Sequence, residues 1–133
     1  MSPTDVDVLC GALTRSASAL KTGNGTSHSL VDFEQAGVVA AAIEKTGVVK
    51  GLASEIAQLQ LVITNIRCRM QDSADGPVIL YGPEIATLDD FCRFHRFQLS
   101  HLSVGEYAKI LQRAGPSLGP QLHSTIAQTL AGK

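Results

Sequence analysis

Seven apolar residues recur at steps of three and four along one stretch of this chain: Val49, Leu52, Ile56, Leu59, Ile63, Ile66 and Met70. A period of 3.5 residues held over three heptads puts them on one face of a helix, and such a face needs a partner surface. The partner is either the rest of the same chain or a second copy of it. The period lies nearer 3.5 than 3.6, which favours a second copy. Charge points the same way, because only 17% of residues are charged and a lone helical protein needs a well-solvated surface. With Val49, Ile56, Ile63 and Met70 at heptad position a and Leu52, Leu59 and Ile66 at d, the pattern favours a dimer. Leu61 and Val62 add apolar surface beyond the seam, so the helix reads as a member of a bundle rather than an exposed two-stranded coil.

The stretches around it also read as helices. Val6, Leu9, Leu13, Ala17 and Leu20 share a helical face, with Pro3 suited to a first turn and Gly23 and Gly25 to an end. Ser29 followed by Asp32 resembles a weak capping box for a second helix through Leu30, Phe33, Val39, Ala40 and Ile43, whose Ala-rich centre permits close helix approach. Gly47 and Gly51 weaken the next turn, so a break is expected there before the long helix at about 48–71. The run from Asp72 to Pro77 ends that helix. Val78–Tyr81 is β-prone, but no second strand of comparable strength exists to pair with it, and it is read as an extended segment over helices. Three short helices are expected after it. Thr87 with Asp90 would open the first, Ser103 with Glu106 the second, and Pro120–Leu130 would form the third, with Leu122, Ile126 and Leu130 spaced four apart.

The expected architecture is therefore all-α: a helical bundle with a coiled-coil-like long helix and a small C-terminal three-helix module. Residues 1–71 would form the oligomerisation region and residues 78–131 the interaction module.

Candidate chemistry is sparse. Phe91-Cys92-Arg93-Phe94-His95-Arg96-Phe97 alternates aromatic and basic residues, a pattern that can stack single-stranded nucleic acid. It also reads as a core helix with a solvated Arg face, and the net charge of −1 supplies no general pull toward phosphate. Cys92 and His95 make one metal-ligand pair, with His101 and Cys68 as distant further ligands, whereas structural zinc uses recurring close pairs. Ser103–Leu130 has the outline of a helix-turn-helix, yet Leu118–Leu130 holds no Lys or Arg to meet phosphate. Asp89-Asp90 is better read as helix-start charge, and Gly23-Asn24-Gly25-Thr26 lacks the lysine of a phosphate loop. No catalytic, cofactor or metal site is assigned. The three cysteines are odd in number and widely spaced, and the N-terminus shows no signal-peptide pattern, so the chain is read as cytoplasmic with free thiols.

The reading that follows is a non-catalytic homo-oligomeric interaction protein, an adaptor, scaffold or assembly factor. It would self-associate through the stripe and present Arg93, Arg96, Lys109 and Arg113 to another protein. The alternative is a nucleic-acid-associated helical protein, regulatory or packaging, that uses Arg67 and Arg69 with those same four residues.

Overall fold

A computed structural model describes residues 1–47, 51–73 and 78–114, and these form five helices with no strand among them. Helix α1 spans Pro3–Lys21, α2 Ser27–Thr46, α3 Ala53–Asp72, α4 Gly82–Ser100 and α5 Val104–Ala114. Helices α1 to α4 each pack against their neighbour in sequence, α4 closes back onto α1, and α5 lies on α2. The all-α architecture expected from the sequence is present, with α1 to α4 of 19 or 20 residues each and a described α5 of 11.

Local chemistry sets most of the ends. Ser2 caps α1 by accepting the Asp5 N–H at 3.2 Å, and Pro3 follows it where a missing N–H costs nothing. Thr26, not Ser29, is the N-cap of α2. Thr26 is extended, and the Ser29 hydroxyl sits inside the first turn and accepts the Thr26 N–H at 3.2 Å. Gly47 ends α2 at φ 76°, a left-handed conformation that suits glycine. The break expected between α2 and α3 is there, but it moves the start of α3 from 48 to Ala53. Gly51 lies at φ 97°, and the Glu44 carboxylate on the last turn of α2 accepts the N–H groups of Gly51 and Leu52 at 3.1 and 3.4 Å. One helix thus caps the next.

Helix α4 corrects a second expectation. It begins at Gly82, five residues before Thr87, and runs unbroken to Ser100. Tyr81 is its N-cap and donates its N–H to Glu84 at 2.9 Å, which takes over the capping role expected of Thr87 and Asp90. Thr87 lies inside the helix and donates to the Pro83 carbonyl at 3.0 Å. Ser103 and Glu106 do open α5 as expected, each accepting the other's backbone N–H at 3.0 Å. The helix expected at Pro120–Leu130 lies outside the described residues. Before α4 the chain is extended, with Val78 and Leu80 turned inward and Ile79 and Tyr81 outward.

The described apolar residues form one core cluster. Leu30, Phe33 and Ile43 of α2, Leu59 and Ile66 of α3, and Leu88 of α4 have no exposed surface. Phe91 of α4 meets Phe33 of α2 with ring centroids 6.3 Å apart, so α4 shares an aromatic contact with the N-terminal helices. The other α4 aromatics fan outward: Phe94 is half-buried, and Phe97 is exposed beside His101.

Each seam between ring helices carries a polar tie. Ser16 donates to Asp32 at 2.6 Å between α1 and α2. Arg67 pairs with Glu34 between α3 and α2. Arg69 grips Glu84 with two bonds, at 2.9 and 2.5 Å, between α3 and α4, and stacks over the Tyr81 ring at 4.4 Å. Lys21 meets Asp89 at 2.7 Å and Arg96 meets Asp7 at 2.5 Å between α1 and α4. These last two pairs join opposite ends of the helices, so α1 and α4 run antiparallel. Across the centre, the buried Gln98 amide donates to the Ala40 carbonyl at 3.2 Å. Its oxygen therefore faces the His95 ring 3.1 Å away, and Nδ1 carries the imidazole proton.

Two predictions follow from this packing. Gly25 lies against Leu20 so closely that an added Cβ would come within 2.3 Å of Leu20 Cδ2 and 3.1 Å of its Cα. Gly25→Ala should therefore cost about 1–3 kcal/mol, read as a lower urea midpoint at an unchanged m-value. The second concerns acid. Burial holds the His95 imidazole below its ordinary value of 6.5, against the opposing pull of Gln98. Neutral His95 therefore contributes stability that is complete above 6.5 and is lost as the unfolded chain takes up the proton first. Burial pushes Glu84 up, but the bonds from Arg69 and the Tyr81 N–H outweigh it and hold this carboxyl below the ordinary 4.5. Its contribution is complete above 4.5 and fades as the pH falls toward the folded value. Stability should decline in two stages on acidification. His95→Gln should flatten the upper stage and leave the lower one; equal slopes in both proteins would contradict the assignment.

Candidate interaction groove

Helix α2 is apolar on nearly every side, and its Ala-rich centre is where the core leaves an opening. Gly37, Val38, Ala41 and Ala42 form the floor of a trough between α2, α3 and α5, with Lys45, Thr46, Gln60, Ile110 and Arg113 completing its walls. This part encloses about 460 Å³. A second hollow of about 210 Å³ shares Gly37, Val38 and Gln60 with it and reaches Phe33, Leu59 and Ile63 beneath the Glu34–Arg67 pair. The two hollows form one open furrow along α2.

The small residues make the furrow. Gly37 sits in the middle of a helix, where glycine costs about 1 kcal/mol relative to alanine. Among the described residues packing does not require it, since an added Cβ would meet only Leu59 Cδ2, at an ordinary 3.5 Å. Charge is confined to the rim. Lys45 and Arg113 stand near one end with no ion pair among the described residues, while Glu34 and Arg67 neutralise each other near the other. An apolar floor with charged ends suits an amphipathic helix, which lays its apolar stripe into such a groove.

The residues singled out in the sequence distribute as follows. Leu52, Ile56, Leu59, Ile63, Ile66 and Met70 are all buried within the single chain, and Val49 lies outside the described residues. Arg93 pairs with Asp90 one turn away, and Arg96 ties α4 to Asp7 of α1. Lys109 and Arg113 are exposed, and Arg113 alone of the four lines the trough. Cys92 is half-buried, its thiol pushed up to about 11 by burial and then by Asp89, so it is a poor nucleophile at neutral pH. Its expected companion His95 is stacked on Phe91, with ring centroids 5.6 Å apart, while Cys68 and His101 are exposed. Among the described residues no three His, Cys, Asp or Glu side chains gather where a metal could sit. No helix among them is long and apolar enough to cross a membrane.

Sequence reasoning noted the Ala-rich centre of α2, but not the trough. Its walls come from three helices, and no local spacing joins Ala41 to Gln60 or Ile110. The chain matches no protein-family model, no curated protein and no solved structure.

Because Gly37 is not needed for close packing, Gly37→Ala should raise stability by about 0.5–1 kcal/mol. A calorimetric midpoint above that of the wild type would show it. A fall would mean that the floor is tighter than the 3.5 Å clearance indicates.

Proposed function

We propose that this protein is a non-catalytic interaction module that holds an amphipathic helix of a partner protein in the α2–α3–α5 trough. The observation that supports this reading is the trough itself: an elongated apolar floor with two cations at one end, Lys45 and Arg113, that have no ion pair among the described residues. A partner helix with acidic residues flanking its apolar stripe complements that pattern in shape and in charge. The stripe of α3 is a weaker docking surface. Its side chains would have to leave their packing in the core before they could meet a second copy, and freeing even one large buried residue costs kilocalories.

The nucleic-acid reading is less favoured by the same structure. Arg67, Arg69, Arg93 and Arg96 each already face a carboxylate of the chain. Moving them to phosphate would break those pairs, and of the six residues of that reading only Lys109 and Arg113 have no ion pair among the described residues.

A synthetic helical peptide with leucines along one face and glutamates beside them provides the test. Its addition should shift the amide resonances of Gly37, Val38, Ala41, Gln60 and Ile110. Ala41→Asp, which places a charge on the trough floor, should abolish the shifts while preserving helicity. A shift map centred on Arg93 and Arg96, or one unaffected by Ala41→Asp, would overturn the assignment.

A further inference from the structure

We infer that the trough has a built-in ligand: residues 118–130 of this chain dock along α2 and α3 and compete there with the partner helix. The inference rests on the reading of the trough as a helix-binding groove and adds how that groove is regulated.

Three observations point to this occupant. The first is position. The α5 residues Ile110 and Arg113 line the trough, and Ala114 is the last residue described, so the segment after it is tethered beside the trough. Four residues span at most about 14 Å, and they start one residue after Arg113, which itself lines the trough with Ala41 and Ala42. The second is length. From Phe33 to Thr46 the furrow follows 13 helical steps of α2, about 20 Å. Residues 118–130 in helical form would cover nearly the same distance.

The third is chemistry. Leu118, Leu122, Ile126 and Leu130 recur every four residues, and no Asp, Glu, Lys or Arg occurs between Ala114 and Gly132. Such a segment has an apolar face that needs cover and no charge to oppose burial. The floor of Val38, Ala41 and Ala42 needs cover too, since these side chains are only half-buried. Tethering favours the match, because a short linker holds the segment at an effective concentration of about millimolar. Lys45 and Arg113 remain at the rim without an acidic counterpart in this segment. They give an acidic partner helix an advantage that the chain's own segment lacks, which lets it displace the segment.

The experiment uses the full-length chain carrying a benzophenone side chain in place of Gln60 on the trough rim. Irradiation followed by peptide mapping should show cross-links within one chain to residues 118–130. Leu122→Asp with Ile126→Asp should remove them. In the protein without the probe, the same pair of substitutions should strengthen binding of the acidic amphipathic peptide by about tenfold, the gain expected if the segment occupies the groove nine-tenths of the time. Cross-links that double the molecular mass would assign the groove to a second copy and overturn the inference. Absence of cross-links to 118–130, with equal peptide affinity in both proteins, would overturn it too and leave the groove reading standing. If the double variant fails to bind the peptide while its wild-type parent gives the cross-links, the groove reading is what falls.

Discussion

The fold depends on the need to cover α2. Leu30, Phe33, Gly37, Val39, Ala40 and Ile43 are buried, and Ala36, Val38, Ala41 and Ala42 between them are half-buried. A helix that is apolar on most sides is stable only inside something else. The other elements are arranged accordingly: α1 and α3 flank it, α4 reaches across through Phe91 and Gln98, and α5 lies on top. Its small central residues let those neighbours come close, because the distance between packed helices is set by the side chains at the contact. The apolar stripe of α3 finds its partner here. Leu59 and Ile63 are buried beside Phe33 and Gly37, so within the chain the bundle supplies the surface that a second copy would otherwise provide.

Apolar packing alone tolerates sliding and rotation, and the polar ties restrict both. Surface ion pairs are worth little, typically 0–1 kcal/mol, so Lys21–Asp89 and Arg96–Asp7 are not what holds α1 to α4. Their value lies in register, because two pairs at opposite ends fit a single alignment of the helices. The Arg69–Glu84 pair is of another kind. Glu84 is buried and also accepts the Tyr81 N–H, so one carboxylate caps α4 and ties it to α3. The His95–Gln98–Ala40 chain does the same in the interior, where an amide displaced from its partner would carry the full cost of desolvation.

What could be read from the sequence was what depends on local spacing. The all-α class, the α1 face, the glycine break after Thr46, the Ser103–Glu106 cap and the burial of the stripe all follow from periodicity or from contacts within one turn. The misplaced starts have tertiary causes. Helix α3 begins where Glu44 of α2 can cap it, and α4 begins where Arg69 of α3 holds the capping Glu84. Thr87 and Asp90 imitate a capping box inside a helix, and the three-residue spacing alone cannot separate imitation from use. The question of copy or chain was beyond a periodicity argument. Repeats of 3.5 and 3.6 drift apart by only about 20° per heptad, too little to separate over a helix of 20 residues.

The trough marks the one side of α2 where the covering described so far is incomplete. Alanines that are only half-buried at the centre of a helix otherwise surrounded by core are an unfinished packing arrangement. A helix whose sole role was to fill the core could carry larger side chains at Ala41 and Ala42, since the described residues leave the furrow open above them and each methylene buried contributes about 0.8 kcal/mol. Small residues at those positions leave room for a helix that is not among α1 to α5. Gly37 gives up helix stability without any contact among the described residues that requires it. The result is that α2 is both the helix that organises the core and the floor of the groove.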